Sequence, residues 1–121
     1  MAPREAKRET REAMQDDFPM TCRPLPKGTP PLEAETAERW LRELHGWTRR
    51  GDALVMQREL AHFQAALDWI AAVGTVAEAH DHHPDIHLSN WNRVELVLST
   101  HSIGGLSAND FVVARAIDAF D

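Results

Sequence analysis

Residues 62–80 constrain the fold more than any other part of the chain. Phe63, Leu67, Ile70, Gly74 and Ala77 recur at helical spacing and make one stripe. Trp69, Val73 and Val76 make a second, and the polar residues Gln64, Asp68, Thr75 and Glu78 fall on one narrow face. A helix apolar over most of its circumference has to be covered on more than one side. One cover is the chain's own sheet. The other is expected to be a copy of the same helix in a neighbouring subunit. A chain of 121 residues is one domain at the small end of the range, where burial between subunits adds what a monomer core lacks.

The elements around that helix follow from periodicity. Ala37, Trp40, Leu41 and Leu44 predict a helix from Glu33 to about Leu44, stopped by Gly46. Trp47 to Arg49 reads as a short strand, Arg50-Gly51-Asp52 as a tight turn, and Ala53 to Leu60 as the hairpin partner. Pro84 ends the long helical region. Ile86 to Trp91 is a weaker strand, and Arg93 to Thr100 a stronger one in which Val94, Leu96 and Leu98 alternate with polar residues. If that strand persists, His101 lies on its polar face. Gly104-Gly105 turns the chain, and Ser107-Ala108-Asn109-Asp110 has the form of a capping box opening a last helix. The order αββαββα predicts an α+β fold: an antiparallel sheet with helices on one face.

Ahead of this domain, residues 1–20 are densely charged and nearly devoid of large apolar side chains. Residues 21–31 hold Pro24, Pro26, Gly28, Pro30 and Pro31. Together, residues 1–31 read as a flexible extension, with the folded domain spanning residues 32–121. The net charge of −6 speaks against direct nucleic-acid binding, which needs clustered Lys and Arg. No apolar run is long enough to span a bilayer. The acidic N-terminal stretch matches neither a secretory signal nor a transit peptide, so the expected location is the cytoplasm. The single Cys22 excludes an intramolecular disulfide.

Seven histidines are many for this length, and His80, His82, His83 and His87 lie close together. Imidazole exchanges protons near neutral pH without help from its surroundings. Pro84 restricts His83 to extended conformations and so fixes where the adjacent pair can point. His80, His87, His45 and His62 are read as solvated. Two chemistries fit the rest. A metal site would draw on His80, His82, His83 and His101 with Asp81, although adjacent residues rarely face one ion and no familiar ligand spacing is present. General acid–base catalysis would need one protonated and one neutral imidazole near a small substrate, with Asp81 or Glu78 nearby to tune them. Nucleophilic catalysis lacks a motif at Cys22, Ser99 or Thr100.

Glu78-x-x-Asp81-His82-His83-Pro84, Trp91-Asn92-Arg93-Val94, Leu98-Ser99-Thr100-His101 and Gly105-Leu106-Ser107-x-x-Asp110-Phe111 together resemble the pterin-4a-carbinolamine dehydratases. The resemblance extends upstream through Leu32, Gly46-Trp47 and the Phe63 helix, covering about residues 32–120. The segment between Pro84 and His101 resembles the Asp-Ile-His-Leu variant of the family, read here at Asp85-Ile86-His87-Leu88, and is slightly longer than in the animal members. The resemblance implies a four-stranded antiparallel sheet with three helices on one face. It also implies homodimers through sheet edges and homotetramers through the long helix.

The activity implied is loss of water from a 4a-hydroxytetrahydropterin to a quinonoid dihydropterin, in tetrahydrobiopterin recycling, with no metal and no cofactor. Matched by position, His82, His83 and His101 take the catalytic places, and Asp81, Ser99 and Thr100 line the pterin pocket. His82 and His101 are expected to move protons and His83 to hold the pterin. Glu78, Asp110 and Trp47 are further candidates, although a capping box explains Asp110 and a core position would explain Trp47. A competing reading is a non-enzymatic scaffold or transcriptional cofactor acting through the apolar helix, as the mammalian relative does when it serves a homeodomain transcription factor.

Overall fold

The computed structural model describes residues 17–120. Residues 1–16 of the charged extension, and Asp121, lie outside the described residues. The elements run α1 (Ala34–Leu41), β1 (Trp47–Arg50), β2 (Ala53–Glu59), α2 (Phe63–His80), β3 (Asp85–Ser89), β4 (Arg93–Leu98), a 3₁₀ turn (His101–Ile103) and α3 (Ala108–Phe120). The strands form one antiparallel sheet in the order β1-β2-β4-β3. The expected α+β architecture, αββαββα with three helices and four antiparallel strands, is the one observed.

The register explains why the helices gather on one face. Leu54 pairs with Leu98, Met56 with both Trp47 and Leu96, and Ile86 with Leu96, so their side chains share the inner face. Trp40, Ala66, Trp69, Val73, Phe111, Val113 and Ile117 meet them from the three helices. Fully burying each of Leu54, Leu96 and Leu98 contributes roughly 1.5–3 kcal/mol. The opposite face is polar: Gln57 donates to Glu95 across the strands at 2.8 Å, and His87 lies opposite Glu95.

The long helix starts at a histidine. His62 is the N-cap of α2, and its Nδ1 accepts from Ala65 N–H at 3.0 Å, which gives this residue a structural task rather than a merely solvated one. Ala66, Trp69, Val73 and Ala77 are buried on the sheet side, while Phe63 stays 50% exposed and Leu67 is exposed with it. The Trp69–Val73 stripe is therefore covered within the chain, and the other is open only at its start, at Phe63 and Leu67, since Ile70 packs against the core and Ala77 is buried.

Four expectations change at element ends. The first helix ends at Leu41, not Leu44, although Leu44 is still buried. β3 ends at Ser89, because Asn90 and Trp91 adopt positive φ (48° and 56°) and form the turn into β4. Trp91 is thus an exposed turn residue instead of a strand residue. β4 ends at Leu98, and Thr100 only bridges to Gly105, so His101 opens the 3₁₀ turn instead of standing on a strand's polar face. Core packing also begins ahead of Leu32. Phe18 is 2% exposed, with its ring 5.9 Å from Trp40 and 6.2 Å from Phe111, so this part of the expected flexible extension is packed.

Candidate active site

The site is assembled where α2 ends and α3 begins. Asp81 terminates α2 in the left-handed conformation (φ 52°), its N–H returning to the carbonyls of Ala77 and Glu78. His82 N–H also bonds to Ala77 at 3.2 Å, closing the turn. The chain then leaves extended under the restriction of Pro84, and successive side chains point to opposite sides. His82 turns inward and His83 outward.

His82 Nε2 meets Asp110 Oδ1 at 2.6 Å. Asp110 is 0% exposed, and its other oxygen accepts from Thr100 Oγ1 at 2.8 Å and from Ser107 N–H at 2.9 Å. Ser107 Oγ accepts from Asn109 N–H at 3.2 Å and shares a 2.7 Å hydrogen bond with Thr100 Oγ1. The expected capping box is present, and its acidic member has a second task. The carboxylate that caps α3 also orients an imidazole from 28 residues away. A carboxylate can only accept, so His82 Nε2 carries the proton and Nδ1 is the ring nitrogen left for a substrate.

Beside this pair lies a cleft of about 380 Å³ lined by Cys22, Arg23, Pro24, Leu25, His80, Asp81, His82, Thr100, Ser102 and Asn109. Of the residues read from sequence, His82, Asp81 and Thr100 line it, with Asp110 buried behind. His83 does not line it: its Nε2 pairs with Glu78 Oε1 at 2.8 Å in solvent. His101 is exposed between two lining neighbours, Thr100 and Ser102. Ser99 donates its hydroxyl to the Asp52 carbonyl at 2.9 Å, and buried Trp47 donates Nε1 to Asp118 at 2.9 Å. Both are committed to the hairpin and the core. Among the described residues, no three His, Cys, Asp or Glu side chains are grouped as a metal ion would require.

His80 and the stretch from Cys22 to Leu25 also line the cleft, although the sequence pattern marks the first as solvated and the second as linker. The Pro-rich composition hid that stretch, and no spacing rule connects it to His82. Burial pushes the Cys22 thiol pKa up, and the negative charges of Asp110 and Asp81 add to the effect. A thiol held protonated is a poor nucleophile.

The model of the family "Pterin 4 alpha carbinolamine dehydratase" matches residues 30–120. The chain belongs to this family. It is 40% identical over 98 residues to a Rubrobacter xylanophilus protein provisionally named pterin-4-alpha-carbinolamine dehydratase, covering 80% of this chain and 91% of that protein. It is 38% identical over 91 residues to the mitochondrial pterin-4-alpha-carbinolamine dehydratase 2 of Arabidopsis thaliana, covering 72% of this chain and 49% of the plant protein. A crystal structure described as a transcriptional coactivator/pterin dehydratase from Brucella melitensis superposes with a TM-score of 0.68 at 31% identity. That match covers 74% of this chain and 96% of the other. A pterin dehydratase-like RuBisCO assembly factor of the alpha-carboxysome shares the fold at a TM-score of 0.51 and 19% identity.

Proposed function

We propose that this chain is a hydro-lyase that removes water from a pterin-4a-carbinolamine. The observation that carries the proposal is the contact of His82 with fully buried Asp110 beside a cleft, in a member of the dehydratase family. In the reaction the C4a–O bond breaks, a proton joins the departing hydroxyl to make water, and a proton leaves a ring nitrogen to give the quinonoid dihydropterin. Imidazole is suited to both transfers near neutral pH. Asp110 holds the His82 ring and its tautomer, so Nδ1 meets the substrate. His101, next to the cleft on the 3₁₀ turn, takes the second proton transfer. Asp81 and Thr100 line the pterin pocket, whereas His83, paired with Glu78 in solvent, stands outside it. The role fits tetrahydrobiopterin recycling in the cytoplasm. Among the described residues, no helix is long and apolar enough to cross a membrane.

The open start of the α2 stripe, with Phe63 and Leu67 exposed, supports a homotetramer through this helix, and homodimers through sheet edges would use the outer strands β1 and β3. The same stripe would serve a scaffold role, as the coactivator and assembly-factor descriptions of two structural neighbours suggest for those proteins. Turnover of chemically generated 4a-carbinolamine, measured beside the mass in solution, separates the two. A dehydratase accelerates water loss and loses that rate in His82→Ala, whereas a tetramer with no acceleration refutes the enzyme.

A further inference from the structure

The match to the family begins at residue 30, yet the chain ahead of it is fastened to the site at two points. The first anchor is Phe18, wedged between Trp40 and Phe111 with the Arg115 guanidinium 4.7 Å from its ring centroid. Beside it, the Asp17 carboxylate accepts from Trp40 Nε1 at 2.9 Å and pairs with Arg39. The second anchor is Asn109, which is buried. Its Oδ1 accepts from Arg23 N–H at 2.9 Å and its Nδ2 donates to the Arg23 carbonyl at 2.8 Å. A side-chain amide thus satisfies both backbone groups of one residue, as a neighbouring strand would. Asn109 directly precedes Asp110, so the residue that ties down the segment sits beside the one that orients His82.

We infer that residues 17–25 form a strap that is one wall of the substrate cleft, with Asn109 as the positioning residue that holds it there. The inference deepens the pterin reading and rests on it. Cys22, Arg23, Pro24 and Leu25 face the cleft across from His82, Asp81 and Thr100. Pro24 and Leu25 offer apolar surface to a flat bicyclic ring. The Cys22 thiol, protonated by burial beside Asp110 and Asp81, takes no covalent part. The strap therefore acts on binding and not on the chemical step: its loss raises KM and leaves kcat nearly unchanged.

Cys22 is the chain's single cysteine, so its modification reports the strap alone. The full-length protein is treated with a disulfide thiol reagent, with and without 7,8-dihydrobiopterin, and carbinolamine turnover is followed on the same samples. Saturating dihydropterin is expected to slow Cys22 modification about fivefold or more, as a ligand seated against the strap stabilises its closed form. Asn109→Ala, and Arg23→Pro, which deletes the N–H received by Asn109, are expected to speed modification of the free protein. They should also raise KM about tenfold with kcat within roughly twofold of wild type. Arg23→Pro leaves the first turn of α3 intact, so a folding defect in Asn109→Ala does not decide the outcome. Turnover with unprotected Cys22, and a KM that neither variant moves, overturns the strap while leaving the dehydratase standing. A wild type that neither turns over nor binds the pterin brings down the dehydratase reading, and the wall with it.

Discussion

Two histidines adjacent in the chain carry the same side chain and face a carboxylate at nearly the same distance, yet they sit in opposite environments. His82 is 15% exposed and meets a carboxylate that is 0% exposed, at 2.6 Å. His83 is 55% exposed and meets Glu78, which is 78% exposed, at 2.8 Å. What separates them is the backbone: the left-handed Asp81 followed by an extended stretch before Pro84 sends one ring into the fold and the other into water. Distance alone therefore says little about what a contact does. The inner pair is held by a network that also caps α3, whereas among the described residues the outer pair has only each other and solvent.

The largest expected difference lies in turnover. His82→Ala should lower kcat by on the order of 10²–10⁴-fold with a small change in KM, because a proton-transfer group acts in the transition state. His83→Ala, at a ring outside the cleft, should leave kcat within roughly twofold of wild type. Steady-state kinetics of both variants on generated carbinolamine checks this, and equal losses of kcat would erase the contrast between the two rings.

Stability should divide the two sides next. Asp110→Ala leaves Thr100 Oγ1, Ser107 N–H and His82 Nε2 without their shared acceptor in a buried place. A loss of about 3 kcal/mol or more is expected in urea unfolding. In a double-mutant cycle with His82→Ala the two changes should couple by roughly 0.5–3 kcal/mol, since both remove one contact. Strict additivity would mean that Asp110 serves the cap alone.

How far this contrast could be read beforehand differs by element. The hairpin of residues 47–59, the long α2 and the inner face of β4 were legible because each buries one face, and burial imposes a period. The strand ends were not, because Asn90, Trp91 and Thr100 depart from the ladder through turn geometry that alternation does not encode. The local half of Asp110's task was visible as a capping box. Its contact with His82 was not, since it joins two helix ends that only the folded sheet brings together. The strap was hidden most deeply: Pro-rich composition describes a linker equally well whether or not a single phenylalanine, Phe18, is wedged into the core. The resemblance to a family placed His83 and His101 beside His82, but it could not say which of the three lines the cleft.

The smallest expected effect tests the outer pair by itself. A contact between two exposed side chains gains little, because water competes for both groups and two mobile side chains must be held in one geometry. Glu78→Gln should therefore change unfolding stability by no more than about 0.5 kcal/mol. Whatever part of it is electrostatic should disappear in about 1 M salt, where the screening length falls to roughly 3 Å. The inner pair, with Asp110 fully buried and His82 mostly so, is screened much less, so the coupling between His82 and Asp110 should persist at the same salt concentration. Measuring both variants in low and high salt places the two histidines on one scale. A Glu78→Gln effect that is large, or that survives high salt, would show that the outer ring is held as firmly as the inner one. The difference in burial would then have to give way as the reason that only one of them is positioned for chemistry.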